Sequence, residues 1–178
     1  MFAVLTAVLL STVPATRAIA LEFGMTPNHV YALWRSINDT VIATSSLAIK
    51  DPMARQRIES MTPHSYRGKQ PREVLHMVLA FGERLNKLRA RDDLPPTGRY
   101  GDGHGEVNAT GVFLNSGMVL NGMVEWIIVN SDPDLLVSRY YHLESFRGKT
   151  SSDVYALVDL AHRRLDVILS NSYLMYRN

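Results

Sequence analysis

Two short stretches hold the residue types best suited to binding chemistry. Tyr66-Arg67-Gly68-Lys69 and Phe146-Arg147-Gly148-Lys149 each set a guanidinium, a glycine and an ammonium in consecutive positions. Each lies just before an expected helix start, where free backbone N–H groups and the helix dipole already favour an anion. Charge-assisted donors from Arg67, Lys69, Arg147 and Lys149 beside those groups suit a carboxylate, phosphate or sulfate. Gly68 and Gly148 supply a positive φ or a close backbone approach. The competing expectation is a structural turn inherited twice from one ancestral unit, its basic residues solvated or paired.

Other candidates are weaker. Gly101, Gly103 and Gly105 alternate with Asp102, His104 and Glu106. No strand precedes them as a phosphate loop requires, and the spacing is not that of a calcium loop, so a connector is expected. The six histidines form no i, i+4 pair and the chain has no cysteine, which removes the zinc templates, thiolate nucleophiles and disulfides together. Asp159, His162 and Asp166 share one helical face, read as a solvated surface and not as an acid–base site. No serine sits in a nucleophile elbow. Trp34, Trp126, Tyr31 and Tyr155 fall on or beside apolar stripes and are expected in the core. Asn38 and Asn108 begin Asn-x-Thr sequons, of which Asn38 lies inside an expected helix. No catalytic residue, metal ligand or cofactor site is assigned.

The elements that must position the two turns come from an internal repeat. A shift of eighty residues carries Tyr66–Lys69 onto Phe146–Lys149, Glu73-Val74 onto Asp153-Val154, and Arg84-Leu85 onto Arg164-Leu165. Upstream, Lys50-Asp51-Pro52 echoes Ser131-Asp132-Pro133 with a slip of one residue. Val74, Met77, Val78, Phe81, Leu85 and Leu88 form the stripe of an amphipathic helix, as do Val154, Leu157, Val158, Ala161, Leu165 and Ile168. Pro71 with Glu73, and Thr150 with Asp153, mark the two starts. Val30, Leu33, Trp34, Ile37 and Val41 line another helix after Thr26-Pro27. Thr110 to Asn130, with Phe113, Leu120, Met123, Val124, Ile127 and Ile128, forms the fourth. Its β-branched residues leave a strand possible, but its length favours a helix. The expected fold is all-α: a four-helix bundle of two tandem helical hairpins, about 26–92 and 110–172, joined by the proline- and glycine-rich segment 92–105.

The N-terminus reads as an export signal. Phe2 to Leu10 is an apolar run of h-region length, followed by Ser11 to Arg17 and the small-x-small site Ala18-Ile19-Ala20. No Lys or Arg precedes the run. Residues 1–20 are expected to be cleaved, leaving 21–178 as one helical domain, periplasmic or extracellular, with no membrane span. A formal charge of +2, from 19 basic and 17 acidic residues, is too balanced to argue for a nucleic-acid partner. The expected function is an exported, non-enzymatic helical binding or interaction module whose partner, an unknown protein or a small anionic ligand, the sequence does not identify. The alternatives are a ligand-sensing bundle taking a small anion at the Arg-Gly-Lys turns, and a hydrolase with an unrecognised site.

Overall fold

The computed structural model describes residues 24–101, 107–131 and 137–172, so the expected signal peptide lies outside it. Among the described residues all regular structure is helical. Helices α1 (Pro27–Ala48), α2 (Pro52–Ser60), α3 (Pro71–Arg89), α4 (Ala109–Asn130) and α5 (Ser151–Ser172) are joined by segments with 3-10 turns at Ala90–Asp92 and Val137–Tyr141. The helix starts are chemically marked. Proline occupies the first turn of α1, α2 and α3, where its missing N–H costs nothing. Asp51 accepts from the Met53 amide, Asn108 from the Gly111 amide, and Asp153 from the Thr150 amide.

The four long helices all point the same way. Their first residues, Pro27, Pro71, Ala109 and Ser151, meet at one end around Val30, Val74, Val112 and Val154. Contacts further along join residues at matching heights. Trp34 Nε1 donates to Ser116 Oγ at 2.8 Å between α1 and α4, Arg84 pairs with Asp166 between α3 and α5, and Arg164 Nη1 reaches Asn38 Oδ1 at 2.9 Å between α5 and α1. Around the bundle the order is α1, α4, α3, α5, with α1 and α3 on one diagonal and α4 and α5 on the other.

The expected hairpins are therefore corrected. A hairpin would make neighbouring helices antiparallel; here each connection must carry the chain back along the full helix length. A 22-residue helix such as α1 is about 33 Å long, a distance that about ten extended residues can cover. Segments 49–70, 90–108 and 131–150 are each longer than that. The first uses its excess to form α2, which sinks Ala54 and Ile58 between α1 and α5. Part of the second, read from sequence as a connector, lies in the groove between α3 and α4. There Thr97 binds Asn86 and the Tyr100 amide donates to Asn115. Residues 102–106 lie outside the described residues. The third return packs its 3-10 turn between α1 and α4 through Tyr140 and Tyr141.

Two buried arginines fasten the returns. Arg89 donates to the Pro95 carbonyl, to the Gly122 carbonyl and to Glu125. Arg164 binds the Ile58 and Met61 carbonyls at the end of α2. In the sequence Arg164 stands out only as the repeat match of Arg84, and Arg89 only as one of several cations near a helix end; neither is marked there as buried.

The apolar stripes of α1, α3 and α5 form the core, Met77 alone being only partly covered. On α4, Ile127 takes the interior position and the 100° step to the next residue leaves Ile128 exposed, against expectation. At 22 residues and a mean hydropathy of 1.5, α4 is long and apolar enough to cross a membrane, although no such span was expected after the N-terminus. It packs between α1 and α3, and Val119, Leu120, Met123, Val124 and Ile127 are buried there.

Two stability measurements probe this packing. Phe81→Ala and Leu165→Ala, both fully buried, should each cost about 2–5 kcal/mol in chemical denaturation. Gly122→Ala is more discriminating. In an open helix the change would gain up to about 1 kcal/mol, but here the new Cβ would sit 2.2 Å from Thr97 Cγ2. We expect a net loss of about 1–3 kcal/mol, recovered in the double variant with Thr97→Ser. A stabilised Gly122→Ala protein would show that the second return does not cross α4 there.

Candidate functional site

The two Arg-Gly-Lys turns occupy equivalent places. Gly68 and Gly148 adopt φ of 70° and 68°, the left-handed conformation open to glycine at little cost. The Lys69 amide donates to Ser152 Oγ at 3.0 Å, and the Lys149 amide to Asn28 Oδ1 at 2.8 Å. Each acceptor is the second residue of a long helix, α5 or α1. Lys69 Nζ lies 4.6 Å from the centre of the Tyr155 ring, and Lys149 Nζ 4.4 Å from that of Tyr31. Tyr66 meets Tyr155 edge-on at 4.8 Å, as Phe146 meets Tyr31 at 4.9 Å. The first turn thus leans on α5 and the second on α1. A rotation carrying α3 to α5 and α5 to α1 relates them.

These contacts use much of what an anion would need. The two lysine amides are occupied, and both ammonium groups rest over aromatic faces. Lys69 also donates to Glu73 Oε1 at 2.7 Å, which raises the lysine's pKa and lowers that of Glu73. Arg67 and Arg147 remain exposed.

The same rotation identifies a second pair of places, where the chain just upstream of each turn passes over the helix it leans on. Upstream of the first turn, Asp159 of α5 pairs with Arg163 at 3.0 Å and with His64 at 3.3 Å, and Arg163 Nη2 donates to the Thr62 carbonyl. Partial burial and the neighbouring Asp159 carboxylate raise the pKa of Tyr66. The charges there neutralise one another. A broad cleft of about 450 Å³ adjoins them, bordered by Arg57, Met61, His64, Arg163 and Asp166.

Upstream of the second turn the counterparts behave differently. Arg35 and Asp39 stand four and eight residues past Tyr31, as Asp159 and Arg163 stand past Tyr155. Together with Arg139, His142 and Glu144 they rim a recess of about 130 Å³ whose floor is Ala32, Ser36 and Tyr140. The three floor residues are buried. Ser36 Oγ donates to the Tyr140 carbonyl, and Arg139 to Tyr140 Oη. Among the described residues, no hydrogen bond or ion pair closes Arg35, Asp39, His142 and Glu144 on one another. Desolvation raises the pKa of the Asp39 carboxyl from its ordinary value; Arg35 and Arg164 oppose the shift and Glu144 adds to it.

The face formed by Asp159, His162 and Asp166 is the solvated surface expected only in part: Asp166 is half exposed and Asp159 makes an i, i+4 pair, but His162 departs from it. His162 is buried, with Nε2 2.8 Å from the Met77 carbonyl and its ring against Phe81. Asp159 and Asp166 turn instead to Arg163 and Arg84. Packing of both α1 and α3 on α5 covers more of its circumference than one stripe implies. Asn38 is likewise interior, donating to the Trp34 and Leu157 carbonyls. Among the described residues, no three His, Asp or Glu side chains converge as metal ligands.

Burial lowers the pKa of His162, the Met77 carbonyl and Asp166 pulling the other way and Arg84 adding to the fall. A histidine depressed in the folded state contributes stability above its unfolded value of about 6.5 and loses it as pH falls below that value. Denaturation at about pH 7.5 and about pH 5.5 should therefore show a loss at the lower pH. The loss should shrink in His162→Gln, which retains a donor for Met77. An unchanged loss would assign the effect to other groups.

Comparison with protein-family models, with curated proteins and with solved structures finds no match to this chain, so any functional reading rests on the geometry above.

Proposed function

We propose that this chain is an exported, non-enzymatic binding module: a four-helix bundle made by duplication of a helix–return–helix unit. The observation that carries the reading is the recess between α1 and the third return, where Arg35, Asp39 and Glu144 stand around a buried floor with no hydrogen-bond or ion-pair partner among the described residues. Paired surface charges contribute little and are common, whereas opposite charges held apart around a recess leave donors and acceptors for another molecule. The equivalent contacts of the two turns support duplication. The small-x-small site ending at Ala20 supports export.

Thermal unfolding of the purified chain with a panel of small polar metabolites tests the binding reading. At least one chemical class should raise the melting temperature, and Asp39→Asn should remove that rise while leaving helicity unchanged. A panel without effect, or a rise indifferent to Asp39→Asn, would contradict it. N-terminal sequencing from the native host should begin near Leu21; recovery of Met1 would remove export from the proposal.

A second reading places a small anion at the repeated turns, and the exposure of Arg67 and Arg147 beside left-handed glycines favours it. Phosphate, sulfate or a dicarboxylate should then stabilise the chain in a salt-sensitive way, and Arg147→Gln with Lys149→Gln should weaken the effect. A lower melting temperature in the double variant, without any anion effect, would leave the turns a structural role only.

A further inference from the structure

The recess between α1 and the third return has a definite charge pattern, and that pattern selects a ligand class. Among the described residues, the arginine and carboxylate charges at its rim balance: Arg35 and Arg139 supply two positive charges and Asp39 and Glu144 two negative ones. Arg35 and Asp39 are an i, i+4 pair of opposite sign on α1, a spacing at which such side chains commonly close on each other. Here they do not, although the corresponding Asp159 and Arg163 of α5 do, at 3.0 Å. The floor offers little polar competition, because Ser36 Oγ is committed to the Tyr140 carbonyl and Tyr140 Oη to Arg139.

Size narrows the choice. A volume of about 130 Å³ corresponds to about four waters at roughly 30 Å³ each. It is below the roughly 300–1,000 Å³ of sites for drug-sized ligands and cofactors. Charge narrows it further. A lone anion held by Arg35 and Arg139 would bring negative charge beside Asp39 and Glu144, and a lone amine would meet the reverse difficulty. A small molecule with a carboxylate at one end and an ammonium at the other satisfies both pairs at once.

We infer that the recess binds a small zwitterion of the free α-amino acid class, its carboxylate toward Arg35 and Arg139 and its ammonium toward Asp39 and Glu144. The inference rests on the binding-module reading and specifies its ligand. The raised pKa of Asp39 agrees with it, since desolvation outweighs the opposing charges of Arg35 and Arg164 and an arriving ammonium would offset that cost.

Calorimetric titration of the full chain with L-alanine, L-serine and L-glutamine provides the test. N-acetyl-L-alanine lacks the ammonium, L-alaninamide lacks the carboxylate, and inorganic phosphate and ethylamine serve as single-charge probes. At least one amino acid should bind in the millimolar range or tighter, and each blocked analogue should bind about tenfold or more weakly. Asp39→Asn and Arg35→Gln, both at exposed positions, should each lower affinity for that amino acid by about tenfold or more with unchanged circular dichroism. Binding of phosphate or ethylamine as strong as that of the amino acids would overturn the inference, as would binding indifferent to both variants. Absence of amino acid binding would overturn it as well. In that last case, a different metabolite class that stabilises wild type but not Asp39→Asn would leave the binding-module reading standing.

Discussion

The parallel alignment of four long helices is the constraint on which the rest of this structure depends. Antiparallel neighbours can be joined by short turns; parallel neighbours cannot. Each connection here must travel the length of the bundle, and the returns become a second layer lying in the grooves between helices. Buried polar contacts hold that layer down. Arg89 and Arg164 place almost fully covered guanidinium groups on backbone carbonyls of the first and second returns. The carbonyls gain the partners that buried backbone requires, and the arginines retain hydrogen bonds after leaving water. Gly122 adds a steric condition, since only the absence of a Cβ admits Thr97 over α4.

Parallel packing also gathers four helix N-termini at one end, where their partial positive charges add unfavourably. The sequence answers locally. Glu73 and Asp153 stand in first turns, each accepting the backbone amide of the residue before its helix, and each has a lowered pKa because the charged form is hydrogen-bonded. Inward from these caps, Val30, Val74, Val112 and Val154 present an apolar lining. The basic turns lie outside that lining, against the flanks of α5 and α1. Their lysines serve as pins that seat the end of a return on a neighbouring helix.

The positions, starts and most core faces of the four long helices were legible because they are local, whereas α2 was not expected. The stripe from Val154 to Ile168 is buried throughout, and the Thr150–Asp153 exchange forms as its spacing implies. Helix direction was not legible from periodicity, since a stripe identifies the buried face and says nothing of which way its neighbour runs. The available signal was connection length: segments 49–70 and 131–150 far exceed the roughly two to eight residues common between antiparallel helices of a bundle. His162 was misread because a second packed neighbour covers a face that one stripe leaves polar. The recess was hidden for another reason. Arg35 and Asp39 show an ordinary i, i+4 spacing, and only the fold brings Arg139, His142 and Glu144 opposite them.

The recess follows from the returns, because its outer wall is the third return lying over α1; in a hairpin bundle those residues would not face each other. Helix direction is thus the central claim, and the absence of cysteine allows it to be measured cleanly by paired spin labels. His29 near the start of α1 can be paired with His76 near the start of α3, or with Lys87 near its end; all three are exposed. Parallel helices predict the shorter distance for His29–His76, with His29–Lys87 separated by about 20 Å along the axis. The reverse order, with Lys87 closer to His29 than His76 is, would establish an antiparallel pair and contradict the account.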